Sequence, residues 1–120
     1  MKNFGFPKSG RLRLQRDFED IFKNGKRVQK NGLVLWWKPV SGEEPKMGIV
    51  VSRKLGLAHQ RNRAKRLIRE VFRLNRKKIT SPAALVISPR TRECLSDLAG
   101  AQKAVLELFE KAGLIKIRND

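Results

Sequence analysis

Arg61, Lys65, Arg69 and Arg73 stand four residues apart, with Asn62, Arg66 and Arg76 close by. Groups of this kind do one sort of chemistry well, which is binding anions. Guanidinium forks take phosphate oxygens bidentately, and an amide such as Asn62 adds directional hydrogen bonds. Like charges at i, i+4 on a helix repel by roughly 0.2–0.5 kcal/mol per pair. Between Lys54 and Lys78 the sole acid is Glu70, so internal salt bridging is not expected to relieve the ladder. A solvated face is the plain alternative, but such faces usually mix signs. A polyanion that fits the stripe explains it better.

Aromatic residues offer a second chemistry. Phe18, Ile21 and Phe22 fall at i, i+3 and i+4, one face of a short helix. Periodicity alone reads Phe18 and Phe22 as core; the alternative is a pair lining a groove, on which an unpaired base could stack for about 1–3 kcal/mol. Trp36 and Trp37 point to opposite faces of a strand, so one belongs to the core and the other is free to be a platform.

Signals for catalysis in the polypeptide are weak. His59 lacks an evident Ser or Asp partner. Asp17 and Asp20 could share a magnesium ion, although acids near a helix start are commoner as surface groups. No glycine-rich phosphate loop occurs, and Cys94 and His59 cannot assemble a zinc site. The lone Cys94 excludes an internal disulfide and fits a reducing cytoplasm. By itself the chain reads as a binder.

The positioning elements follow from pattern. The segment from Leu57 or Ala58 onward, placed on a helix at about 100° per residue, sets Ala64, Leu67, Ile68, Val71, Phe72 and Leu74 on one broad face and the cations on a neighbouring stripe. A first helix from about Gln15 to Asn24 is stopped by Gly25. The stretch GKRVQK, Gly25 to Lys30, is at most a short edge strand. Leu33 to Trp37 is apolar on both parities and predicts a strand with both faces covered. Ser41 to Pro45 then forms a hairpin connection to a strand from Met47 to Ser52. Ala83 to Ser88 reads as a central strand. A last helix runs from an N-cap at Ser96 to about Ala112, burying Leu98, Ala101, Val105, Leu108, Phe109 and Ala112. The tail from Leu114 shows no clear organisation.

The chain has 120 residues, 40% of them hydrophobic, and a formal net charge of +17. It is long enough for one modest core and is read as a single domain, 1–120, with residues 1–10 expected to be mobile. Residues Arg11 to Arg16 could form a basic arm. Pro45 to Arg92 holds fourteen Lys and Arg against one acid, so the excess sits mid-chain, as in a folded anion-binding surface. No apolar run reaches membrane-spanning length, and no membrane partner is expected. The fold class is α+β: a small two-layer sandwich with a mixed sheet of about four strands and three helices, in the order α-β-β-β-α-β-α.

The central segment KLGLAHQRNRAKRLIREVFR, Lys54 to Arg73, resembles the arginine-rich signature of the protein subunit of bacterial ribonuclease P. RDFEDIFKNGKRV, MGIVVSRKLG and ALVISPR extend the likeness over nearly the whole chain. The resemblance implies a ribonucleoprotein that removes 5′ leaders from precursor tRNA, with catalysis and most of the Mg2+ on the RNA subunit. It implies the catalytic RNA and precursor tRNA as partners, a cytoplasmic location and a left-handed β-α-β crossover. It further implies that Arg61, Asn62, Arg63, Lys65, Arg66, Arg69 and Arg73 bind RNA. Phe18, Phe22, Trp36, Ser52, Lys54 and Arg90 would line the leader cleft, which reverses the core reading of the two phenylalanines. With about six phosphates neutralised, affinity should fall by roughly three decades between 50 and 200 mM salt. A ribosomal-protein-like RNA-binding module and a protein-only nuclease are the rival readings.

Overall fold

The structure is a computed structural model that describes residues 15–40, 44–79 and 82–115. The expectations for residues 1–10 and for most of the basic arm lie outside these residues. Helix α1 spans Gln15–Asn24, strands β1, β2 and β3 span Lys26–Lys30, Leu33–Pro39 and Lys46–Ile49, helix α2 spans Ala58–Asn75, β4 spans Ala83–Pro89, and α3 spans Leu98–Lys111. The element order is the expected one.

α1 and β1 are separated by a single residue, Gly25. A Cβ there would lie 2.5 Å from the Ile21 carbonyl oxygen and 2.7 Å from that of Trp37, so only glycine lets the chain turn this close to β2. β1 and β2 are joined by Asn31 and Gly32, at φ 59° and 74°. Positive φ at both central residues is what a type I′ hairpin turn requires, and an Asn-Gly pair supplies it cheaply.

The sheet order is β1-β2-β4-β3, with β1/β2 and β2/β4 antiparallel and β3/β4 parallel. The expected hairpin from β2 to β3 is therefore corrected: β4 lies between them. All seven residues of β4 are buried, so both of its backbone edges need a strand partner, and an outer position would leave one unpaired. The connection between the parallel neighbours β3 and β4 runs through α2. β3 also ends earlier than expected, at Ile49, because Ser52 caps a 3-10 turn over Arg53–Leu55, its Oγ accepting from Lys54 N at 3.1 Å.

One sheet face carries the main core. Leu33, Leu35, Met47, Leu85 and Ile87 pack there against Ala64, Ile68, Val71 and Phe72 of α2 and Ala101, Val105, Leu108 and Phe109 of α3. The opposite face carries a smaller cluster, in which Ile21 of α1 meets Ala84 and Val86 of β4, flanked by Phe18, Trp36 and Val40.

Four local expectations change. Leu74 is 49% exposed. Asn75 is buried instead, because it continues the Ala64, Ile68, Val71 row, and its amide is satisfied by the Val71 carbonyl at 2.8 Å and Gln102 Oε1 at 3.2 Å. Asp97, not Ser96, caps α3, with Oδ1 accepting from Gly100 N at 2.8 Å. Leu98 stays partly exposed at the helix start while Ala104 takes a core position. Leu114 and Ile115 are buried rather than unorganised. Gly113, at φ 81°, turns the chain so that Leu114 N reaches the Phe109 carbonyl at 3.0 Å.

Candidate nucleic-acid interface

The start of α2 is held by its own side chains. Gln60 Oε1 accepts from Leu57 N at 2.8 Å, and Arg61 Nε donates to the Gly56 carbonyl at 3.2 Å. Burying Ala64, Ile68, Val71 and Phe72 fixes the rotation of the helix. Asn62 and Arg66 are then exposed, and Arg61, Lys65 and Arg69 are half-exposed.

Two of the expected RNA-binding residues stand apart from this stripe. Arg63 is about half a turn from Arg61, and its Nη2 donates to the Ser96 carbonyl at 2.5 Å. With His59, Gln60, Ala64, Arg92, Leu95 and Ser96 it borders a cleft of about 350 Å³. Arg73 departs from the picture of an unrelieved ladder. Its Nε and Nη2 grip Glu70 at 3.0 and 2.6 Å, which holds the Glu70 carboxyl below its ordinary range and pushes the Arg73 guanidinium up. At the helix end, Arg76 Nε donates to the Pro45 carbonyl at 3.1 Å, so this cation anchors the segment before β3.

On the face opposite α2 and α3 an aromatic and cationic group assembles. Phe22 is 42% exposed. Its ring meets Trp36 edge-on, with centroids 4.9 Å apart at 85°. Phe18 is half-buried on the smaller cluster beside them. Residues 28, 33, 35 and 37 face the main core, so the even positions of β2 and the odd ones of β1 face the other way. Arg27, in register opposite Trp36, therefore shares its face. The guanidinium carbons of Arg27 and Arg90 each lie 5.8 Å from the Trp36 ring centre, within cation–π range. Trp37 is the core member of the pair: it packs on the main cluster, with Lys26 Nζ 5.2 Å from its ring.

Phe18, Phe22, Trp36 and Arg90 are thus brought together. Ser52 and Lys54 are exposed beyond the end of β3, on the far side of β4 from Trp36. Arg27 was not among the expected site residues. The signal was present, because reading Asn31-Gly32 as a two-residue turn pairs Arg27 with Trp36 at once.

α1 is clasped over the sheet by Lys38, whose Nζ donates to Asp20 Oδ2 at 2.6 Å. Asn24 Nδ2 donates to Asp20 Oδ1, also at 2.6 Å. The Lys38 bond first, then the Asn24 bond, hold the Asp20 carboxyl below its usual range. The Cys94 thiol donates to the Asn31 carbonyl at 3.2 Å, and burial pushes its pKa up, which disfavours the nucleophilic thiolate. Among the described residues no three His, Cys, Asp or Glu side chains converge on a metal-sized site, and no helix is long and apolar enough to cross a membrane.

The family model described as Ribonuclease P matches residues 6–113. A Ribonuclease P protein component of Thermotoga maritima is 41% identical over 87 residues, covering 72% of this chain and 74% of the relative. Another, of Dictyoglomus thermophilum, is 33% identical over 115 residues, covering 94% of this chain and 96% of the relative. The structure of the Staphylococcus aureus RNase P protein superposes with a TM-score of 0.80 at 26% identity, covering 91% of this chain and 100% of that one. The Thermotoga maritima structure gives 0.75 at 34% identity, covering 91% and 98%.

Proposed function

The chain belongs to the ribonuclease P protein family, and we propose that it serves its holoenzyme through two surfaces with separate RNA partners. It is the RNA-binding protein component of a ribonuclease P that matures tRNA 5′ ends, and its partner is the RNA subunit. In our reading, the exposed stripe of α2 around Asn62, Lys65 and Arg66 docks on that subunit, which carries the catalytic centre. The opposite sheet face, with Phe18, Phe22, Trp36 and Arg90, takes the single-stranded leader of precursor tRNA. Ser52 and Lys54, beyond β3, would extend contact on the side nearer α2.

The observation that carries the second assignment is the exposure of Phe22 in edge contact with Trp36. A helix serving only to cover a sheet would turn its largest apolar groups inward, as α1 does with Ile21. An aromatic surface flanked by cations suits leaders of varied sequence, because every base has a π-face and every nucleotide a phosphate.

Two acids of the described residues are already committed within the protein. Asp20 is engaged by Lys38 and Asn24, and Glu70 by Arg73. The reading therefore leaves the metal ions to the RNA subunit and substrate, and routes no step through a protein-bound ion. A cytoplasmic location accompanies this reading.

The test is reconstitution. Adding the protein to its cognate catalytic RNA should raise the rate of precursor cleavage at low magnesium. An unchanged rate refutes the assignment, and cleavage by the protein without RNA would move the catalytic centre onto the polypeptide.

A further inference from the structure

We infer that Arg27 is a leader-binding residue, acting with Arg90 to bracket a single stacked nucleotide. The inference rests on the leader-cleft reading above and adds to it a phosphate-binding residue and a unit of recognition.

Arg27 lies on the exposed edge strand β1 and points to the same face as its register partner Trp36. Arg90 arrives from elsewhere. Its backbone N donates to the Gly32 carbonyl at 2.7 Å, one step past the Leu33–Pro89 pair. Val86 sits opposite Trp36, so the Arg90 side chain must reach back along the sheet to come near the ring. Two guanidiniums, one on β1 and one just past the end of β4, thus converge on one indole, each 5.8 Å from its centre. They can be no farther apart than twice that distance.

The arrangement matches one repeat of a single-stranded nucleic acid. A nucleotide in a strand is a base lying between two phosphates; the site is an aromatic pair, Phe22 and Trp36, with two cations beside the Trp36 ring. Arg27 Nη2 has a neutral hydrogen-bond partner, Gln29 Oε1, at 3.4 Å. That long contact leaves most of its five donors for an anion. Contact with an indole and a fork onto phosphate are compatible uses of one planar guanidinium. Neither cation reads a base edge, so the bracket suits leaders of any sequence.

The experiment uses the reconstituted holoenzyme. Binding of precursor tRNA with a leader of several nucleotides, and of mature tRNA, is measured across a salt series for wild type, Arg27→Gln, Arg27→Lys and Phe22→Ala. Arg27→Gln should weaken precursor binding roughly three- to tenfold and lessen the salt slope by about 0.7, with mature tRNA bound as by wild type. Arg27→Lys should restore the slope, since it keeps the charge, but not the full affinity, since it loses the fork. Wild-type affinity and slope in Arg27→Gln, or equal losses for precursor and mature tRNA, would overturn the bracket. If Phe22→Ala loses precursor discrimination while Arg27→Gln does not, the bracket alone falls. If neither variant loses it, the leader-cleft reading falls as well.

Discussion

Lys38 Nζ and Asp20 Oδ2 meet at 2.6 Å across the seam between β2 and α1, two residues along the strand from Trp36. The pair ties the helix that carries Phe18 and Phe22 to the strand that carries the indole. It is one joint between them, beside the buried Ile21 and the tight turn at Gly25.

That joint should respond to acid. The Asp20 carboxyl is held below its ordinary value of 3.8, chiefly by the Lys38 bond. A depressed folded pKa means that the stabilisation is present above the unfolded value and is lost as pH falls through the folded one. The NMR signal of the Trp36 indole should stay constant at neutral pH and shift below about pH 4. Asp20→Asn should remove that step. The same acid transition in wild type and variant would show that the clasp does not set the position of α1.

Phe18 and Phe22 should separate stability from binding. Phe18 is half-buried against Ile21, Ala84 and Val86, so Phe18→Ala should lower unfolding stability by about 1–2 kcal/mol as well as weaken precursor binding. Phe22 is 42% exposed. Phe22→Ala should leave the denaturation midpoint nearly unchanged and weaken binding of leader-bearing precursor by about 1–3 kcal/mol, the worth of one stacked base. Chemical denaturation and precursor binding, measured on both variants, check the split.

Glu70 should restrain the basic stripe. It occupies the Nε and Nη2 donors of Arg73, so Glu70→Gln loosens that cation and removes an acid from α2, the helix proposed to face RNA. Affinity for the RNA subunit should rise and its salt dependence steepen by about one further phosphate, a slope change near 0.9. Arg66→Ala should lower that affinity more than Arg73→Ala does. Salt-dependent assembly assays on the three variants give the order directly.

Gly25→Ala should be among the most damaging single-methyl changes outside the core. The added carbon would press on two backbone oxygens, those of Ile21 and Trp37, neither of which can swing aside as a side-chain tip would. A loss of about 1–3 kcal/mol, read by thermal or urea unfolding, is expected. A neutral result would mean that α1 can back away from β2 at no cost.

Local chemistry made much of this protein legible in its residues. The 3.6-residue rhythm of Ala64, Ile68, Val71 and Phe72 sets the inner face of α2 and therefore the outward direction of its cations. Gly25 marks the end of α1, the double-sided apolar run of β4 marks a central strand, and the arginine-rich signature identifies the family. Such features depend on neighbours a few positions away in the chain.

Other features depend on neighbours that only folding supplies. The place of β4 between β2 and β3 came from its need for two ladder partners, which no spacing within Ser41 to Pro45 encodes. Whether Phe22 lies in the core or in a cleft depends on how far α1 stands from the sheet, which the packing of Ile21 on Ala84 and Val86, the turn at Gly25 and the Asp20–Lys38 pair set together. Hydrophobicity puts Leu74 in the core, but the buried row of Ala64, Ile68 and Val71 runs on to Asn75, whose amide α3 satisfies through Gln102. Arg27 and Arg90 are more than sixty positions apart in the chain and flank one indole only because the β1–β2 turn and the β2–β4 register bring them there. Sequence determined which surfaces could bind an anion or stack a base; tertiary structure decided which of those groups share a face, because shared faces follow from strand order and register.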